Sequence, residues 1–452
     1  MPMVISHVCR RWRHCACSDP MLWRQLGIHD HVEKVPWSSR PVPSLRKLES
    51  HSVFLTTCAL RAGSFPLTLS LDIYYEPQSS SQRSDLHRCI KMWRPILLRC
   101  KSLSLGLPGT TLHALFQITI ELPLLESLAL ASPYDILYLR NMRAPMLNII
   151  SVQGCQRNLK IHGVDWSRLT SLTIQWIELG SEIAFILQEC VALEHLDLVF
   201  EGVTIDGSTV ISLPNVKDLA LRFGDDDVEL VDIFPCFSVP ALKCFRLIAA
   251  PSERPLAGSV ASMLTRSGCH LEQLEVNGQC FLDDTDNSDF GVLLKAAPSL
   301  KVLHIEGSYS RASKPVDDCL RWLIHINHDT GEIFAPKLQD LFIQMQVLEG
   351  ESEYPWPSDV LVSEILTSRR HIPDDPKHNG TLESALIVVE DDYSGRQWRF
   401  SCTKGIVMHF CAPHVLTAEE EEQQRAEQLA WTEELKRLLE EDNDEGRHSS
   451  AI

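Results

Sequence analysis

No apolar run in the chain approaches the roughly 18 to 20 residues a membrane-crossing helix needs, and the first residues carry arginines and tryptophans where a secretory leader would carry its apolar stretch. Positive charge is also short: 42 Lys and Arg stand against 60 Asp and Glu, a formal −18, which removes the electrostatic basis for general nucleic-acid binding. There is no glycine-rich phosphate loop, no G-x-S-x-G and no H-E-x-x-H, so phosphate-loop, serine-hydrolase and zinc-protease chemistry each lack their motif. Matched cysteine pairs are missing as well. The fifteen cysteines are an odd number, scattered singly in apolar contexts such as Cys190, Cys244 and Cys319, which is the pattern of reduced thiols used as small core residues in a cytoplasmic or nuclear protein.

What the chain does have is a recurring phrase. A proline, one further residue and an aliphatic residue open the pattern L-x-x-L-x-L, as in Pro123-Leu124-Leu125-Glu126-Ser127-Leu128-Ala129-Leu130. It returns at Pro145, Pro214, Pro240, Pro298 and Pro336, and without the proline at Cys100 to Leu105, Leu169 to Ile174, Leu193 to Leu198, Leu271 to Val276 and, more faintly, Leu382 to Ile387. Successive fourth positions lie 22 to 29 residues apart from Leu103 to Leu303, then 38 and 44 apart to Leu341 and Ala385. Most of these spacings fall in the leucine-rich repeat range. Strand alternation turns the fourth and sixth positions inward and the third, fifth and seventh outward. Helical periodicity is readable between the phrases at 86–98, 182–190, 256–265, 290–296, 316–326 and 359–368. The expectation is therefore an α/β chain: a curved parallel leucine-rich-repeat solenoid with outer helices over 86–412, about eleven units sharing one elongated core. The ninth position holds residues such as Pro133, Cys155 and Ile177 instead of the usual Asn or Cys, so the outer side should vary in shape.

The first thirty residues differ. Val4 to Arg13 carries a helical apolar stripe backed by arginines, and Ser18 or Asp19 is placed to cap a short second helix opened by Pro20. Packing of Val8, Trp12, Leu22 and Trp23 against one another would bury the two tryptophans. The wording Val-Cys-Arg-Arg-Trp-Arg followed by Ser-Asp-Pro-x-Leu-Trp resembles the C-terminal half of an F-box. The segments Arg61 to Leu71 and Lys101 to Leu105 are similar to the region C-terminal to the F-box in fungal F-box proteins with leucine-rich repeats. The resemblance implies a substrate receptor of a cullin-type ubiquitin ligase, docking a Skp-type adaptor through Val8, Trp12, Pro20, Leu22 and Trp23 and holding a protein target on the repeats. The Leu-Pro and first helix that open an F-box do not occur in a sequence that begins at Met1, so the chain alone is expected to bind the adaptor weakly or not at all. A leucine-rich scaffold with no ubiquitin connection is the alternative.

The outward strand positions carry the candidate target site. Early strands offer small residues, Ser102, Ser104, Gly106, Ser127, Ala129 and Ala131. Later ones offer His195, Asp197, Asp218, Arg222, Arg246, Gln273, Glu275, Asn277, His304, Glu306, Asp340 and Gln344. Mixed donors and acceptors suit a specific protein surface, and Arg222 and Arg246 are the expected anchors because arginine is enriched at binding hot spots.

Three further segments complete the organisation. Residues 31–85 read as a connection and entry to the repeats. Thr417-Ala-Glu-Glu is a capping box opening an acidic helix within 413–442, and 443–452 reads as disordered. Thr417 to Ile452 holds 12 acidic and 4 basic residues and so carries −8 of the net charge. Asp283, Asp284, Asp286 and Asp289 resemble a calcium loop but place Asp289 where glycine is required and Lys295 where glutamate is required. His7, Cys9, His14, Cys15 and Cys17 lack a second matched pair for zinc. No cofactor, metal or catalytic residue is assigned.

Overall fold

The computed structural model describes residues 9–29, 45–73, 80–116, 119–131, 137–139, 142–154, 159–161, 163–203, 209–223, 233–248, 256–277, 288–309, 321–323, 334–347, 365, 382, 384–391, 396–402 and 409–411. The acidic segment 413–442, the tail 443–452, Val8, Asp283, Asp284 and Asp286 lie outside these residues.

Each copy of the phrase forms a strand. The strands are β1 (Gln25–His29), β2 (Leu67–Asp72), β3 (Cys100–Gly106), β4 (Ser127–Ala131), β5 (Ile149–Gln153), β6 (Ser171–Leu179), β7 (His195–Val203), β8 (Asp218–Phe223), β9 (Cys244–Ile248), β10 (Gln273–Asn277), β11 (Val302–Tyr309), β12 (Asp340–Val347), β13 (Ser384–Asp391), β14 (Arg396–Cys402) and β15 (His409–Cys411). They lie in one sheet in strict chain order. The first 13 are parallel, and β14 and β15 close the end antiparallel.

Register follows the leucines. Leu103, Leu128, Ile150, Leu172, Leu196, Leu219, Phe245, Leu274, Leu303, Leu341 and Ala385 each pair with the next. Two earlier strands, β1 and β2, extend the same line through Leu26 and Leu69. The sheet thus begins at Gln25, well before the boundary at 86 read from the sequence. Residues 25–29, read from the sequence as the end of the N-terminal segment, and 67–72, read as connection and entry to the repeats, pair into the same sheet.

In the proline-led phrases the first-position residue is also buried, and its amide bonds back three residues: Leu125 to the Leu122 carbonyl, Leu147 to Ala144, Val216 to Leu213, Leu242 to Val239 and Leu338 to Ala335. Pro123, Pro145, Pro214, Pro240 and Pro336 therefore occupy the second position of a turn that precedes the strand. That site suits a residue with fixed φ and no amide hydrogen, so the proline's role lies in the turn more than at the strand edge.

The outer layer is irregular, as the ninth positions imply. Its helices are α1 (Arg10–Ser18), α2 (Leu45–Arg61), α3 (Ser80–Leu97), α4 (Gly109–Phe116), α5 (Ser181–Glu189), α6 (Ala257–Ser267) and α7 (Ser288–Ala296). Elsewhere among the described residues, single 3-10 turns or two- and three-residue strand pairs such as Leu137–Leu139 with Leu159–Ile161 take their place. Helix α6 ends at Gly268, whose φ of 62° lets its amide bond the Leu264 and Thr265 carbonyls, a termination that suits glycine. Of the helical segments read at 316–326 and 359–368, only Arg321–Leu323 and Ile365 are described.

Inward residues from all units form one continuous apolar interior running from Trp23 to Ala385. At roughly 1.5–3 kcal/mol for each fully buried aliphatic side chain, this shared interior is the main stabilising term. Buried cysteines belong to it: Cys58, Cys89, Cys100 and Cys190 are free thiols, and burial pushes Cys100 and Cys190 up to about 12. Among the described residues no helix is long and apolar enough to cross a membrane.

Candidate binding face

Because even positions bury, odd positions share the opposite, open face of the sheet. Exposure alternates accordingly. In β9 and β10, Cys244, Arg246, Ile248, Gln273, Glu275 and Asn277 are half-buried while Phe245, Leu247, Leu274 and Val276 are buried. Parallel register aligns the open-face side chains in rows crossing the strands. One row runs His195, Asp218, Cys244, Gln273, Val302, Asp340 and Ser384. The next runs Asp197, Ala220, Arg246, Glu275, His304, Phe342 and Leu386. Arg222 lies in a third row beside Val199 and Ile248, while Asn277, Glu306 and Gln344 share that level further along.

The rows bring the expected residues together but also engage them with one another. Arg222 Nη2 donates to Asp197 Oδ2 at 3.2 Å, and Arg246 Nε donates to Glu275 Oε2 at 2.6 Å. His195 Nδ1 faces Asp218 Oδ2 at 3.6 Å, and the Cys244 thiol lies 3.8 Å from Gln273 Oε1. His304 meets the Phe342 ring edge-on with centroids 4.3 Å apart, and Ser384 donates its hydroxyl to Asp340.

The two arginines expected as free anchors are thus paired within the face, each about 37% exposed. Burial raises Asp197 above the ordinary aspartate value despite the opposing pull of Arg222 and then Arg246. Arg246 is raised chiefly by its bond to Glu275. Three atoms at this centre are shielded from water and have no hydrogen-bond partner among the described residues: Asp197 Oδ1, Arg222 Nε and His304 Nε2. Buried polar atoms without partners are uncommon and invite a functional account.

Sequence reasoning missed three features here. Ala220, a small residue registered between Asp197 and Arg246, is buried where the outward positions beside it are half-exposed. Phe342 supplies an apolar contact that its strand position made predictable. The third is Trp176. Strand β6 carries a bulge between Gln175 and Ile177, where Ile177 takes the buried place and Trp176 is left 43% exposed at a φ of 62°. A bulky residue in that conformation costs on the order of 1–3 kcal/mol, which the surrounding ladders must sustain. No periodic signal marks a bulge.

Along the strand entry edge, second-position residues form a separate charge ladder. Lys101 pairs with Glu126, Glu194 with Lys217, and Glu272 with both Lys243 and Lys301. Hydrogen bonds from Lys217 and Lys301 lower Glu194 and Glu272. These exposed pairs contribute little energy each, but opposite charges on adjacent units favour correct register.

At the N-terminal end, Asp19 caps the turn opened by Pro20, its carboxylate accepting from the Met21 amide at 2.9 Å. Trp23 is buried, donates from Nε1 to the Ala16 carbonyl at 2.6 Å and carries the Arg61 guanidinium 4.5 Å above its ring. The predicted apolar cluster is only part of the outcome. Leu22 is 39% exposed, because the turn directs Trp23 and not Leu22 into the array's first coil. Val8 and the Trp12 side chain lie outside the described residues. Cys9, Cys15 and Cys17 are exposed. No protein-family model matches the chain, and no curated protein resembles it at a significant level.

Proposed function

We propose that this chain is a leucine-rich-repeat solenoid that recognises a protein target on its concave face, and that it serves as the substrate-recognition subunit of a cullin-type ubiquitin ligase. The observation that carries the binding part is the chain-ordered parallel sheet, one phrase to each strand from β3 to β13, with a half-exposed polar face above an unbroken apolar interior. Such a face offers broad contact area without altering the core that holds it. Charged groups on it are spread in cross-strand pairs instead of converging on one reacting centre, which favours binding over catalysis. The ligase part rests on the F-box-like wording at Val8 to Arg13 and Ser18 to Trp23, supported by the Asp19 cap and the buried Trp23.

One observation favours a scaffold without ligase role. Trp23 is built into the same interior as the strands, and β1 follows it directly, so the segment is the array's first coil as much as a docking module. Affinity purification of the tagged chain from its native cell separates the two. Recovery of a Skp-type adaptor, a cullin and one reproducible target is the outcome expected of the receptor; a target recovered without adaptor or cullin favours the scaffold. Arg222→Ala with Arg246→Ala alters the charge of this face and should change target recovery while leaving the folded state intact, and unchanged recovery sinks this placement of the site.

A further inference from the structure

Pairing within the open face changes which charge is left over. Between β7 and β12 its three rows hold the carboxylates of Asp197, Asp218, Glu275, Glu306 and Asp340 against the guanidiniums of Arg222 and Arg246. Each guanidinium is paired with one of these, Arg222 with Asp197 and Arg246 with Glu275. Asp218 has only an imidazole within ion-pair distance, with Arg246 acting on it from further off, Asp340 faces a hydroxyl, and Glu306 has no ion pair or hydrogen bond among the described residues. The remainder is acidic. In addition, Asp197 keeps one carboxylate oxygen that no described residue satisfies. Next to this region the bulge of β6 holds an exposed indole in strained backbone, with Gln175, Val199 and Arg222 leading from it into the rows.

Resting on the reading of this face as the target-binding surface, we infer that its occupant is a basic segment of a protein, one or more Lys or Arg residues set against Asp218 and Glu306 with a further cationic or aromatic side chain on Trp176. Three considerations carry the assignment. Free carboxylates on a half-buried surface attract cations and repel acidic segments. An exposed tryptophan face binds ammonium or guanidinium groups well. The overall formal charge of −18 adds long-range attraction of the same sign. An acidic segment would meet the remaining carboxylates and compete with Asp197 and Glu275 within the Arg222 and Arg246 pairs. A basic one leaves them in place.

A random peptide library displayed on phage, selected on the full chain and in parallel on Asp218→Asn/Glu306→Gln, tests this. Peptides enriched on the native chain should carry at least about twice the Lys and Arg content of the input. Their affinity, measured by fluorescence anisotropy, should fall about tenfold on the double variant and again when salt rises from about 0.05 to 0.3 M. Trp176→Asn, a residue at ease at positive φ, should weaken them without lowering the melting temperature. Enrichment of acidic or uncharged peptides that still compete with one another on this face overturns the cationic assignment while keeping the face as a binding surface. Absence of any enriched peptide, or enrichment indifferent to all three substitutions, overturns the use of the face itself and with it the proposed function.

Discussion

The two halves of the open face rest on the same interior and differ completely above it. From β3 to β6 the outward residues are uncharged and mostly small, Ser102, Ser104, Ser127, Ala129, Ser151, Ser171 and Thr173, with Ile149, Gln153 and Gln175 the larger ones. From β7 to β12 they are largely charged, aromatic or amide-bearing. Underneath, Leu103, Leu128, Ile150 and Leu172 in the first half do the same work as Leu196, Leu219, Leu274 and Leu303 in the second. The inward positions are held to one solution by packing, since every unit must seal against the next. Outward positions carry no such demand. Elaboration confined to one half therefore points to use, and plainness in the other to mere coverage.

The largest contrast should appear between faces. Leu219→Ala removes a fully buried side chain registered between Leu196 and Phe245 and should cost about 2–5 kcal/mol in chemical denaturation. Asp218→Ala, one residue earlier on the open face, should cost under about 1 kcal/mol. Equal losses would mean that the two faces are not distinct.

Thiol labelling draws the same line kinetically. In the native chain at neutral pH, Cys15 and Cys17 should react readily, whereas Cys100 and Cys190, buried and pushed up to about 12, should react only after unfolding. Mass spectrometry after brief alkylation reads the difference.

Trp176→Gly sharpens the comparison from the other direction. Relief of the left-handed backbone should raise stability by about 1 kcal/mol, seen as a higher denaturation midpoint. A loss would show that the indole is held for packing.

The smallest effect concerns pH. Burial raises Asp197, so the folded state holds this proton more tightly than the unfolded chain. The stability it contributes is greatest at acid pH and declines as pH rises through its folded value. Asp197→Asn should flatten that decline in the difference between two stability-versus-pH curves, whereas an unchanged or steeper slope contradicts the assigned cause.

Much of this was legible because strand register repeats a pattern already visible in the leucines. Fourth positions from Leu103 to Ala385 pair in the order their spacing implies. Helices α2 and α4 were missed for a physical reason. Their sequences are rich in hydroxyl residues that compete with helix formation, such as Ser52, Thr56, Thr57, Thr110 and Thr111. In α2 these side chains instead donate back to Leu48, Ser52 and Val53 carbonyls, and Ser52 further accepts from Trp93, so tertiary contacts secure a helix that local propensity does not. Outward residues of the candidate site were identified correctly as a face, because alternation is local. Their pairings were not, because Arg222 with Asp197 and Arg246 with Glu275 join residues 25 and 29 apart through side-chain geometry that no sequence spacing encodes.

A pair of lysines placed in each half in turn tests the central claim most directly. Asp218→Lys/Glu306→Lys and Ser104→Lys/Ser151→Lys add lysines at open-face positions of equal kind, and recovery of the native target by the two chains is compared with that of the unaltered chain. Loss with the first pair and retention with the second is the predicted result; equal loss, or loss with the second pair alone, contradicts the assignment of recognition to the β7 to β12 rows and the Trp176 bulge beside them.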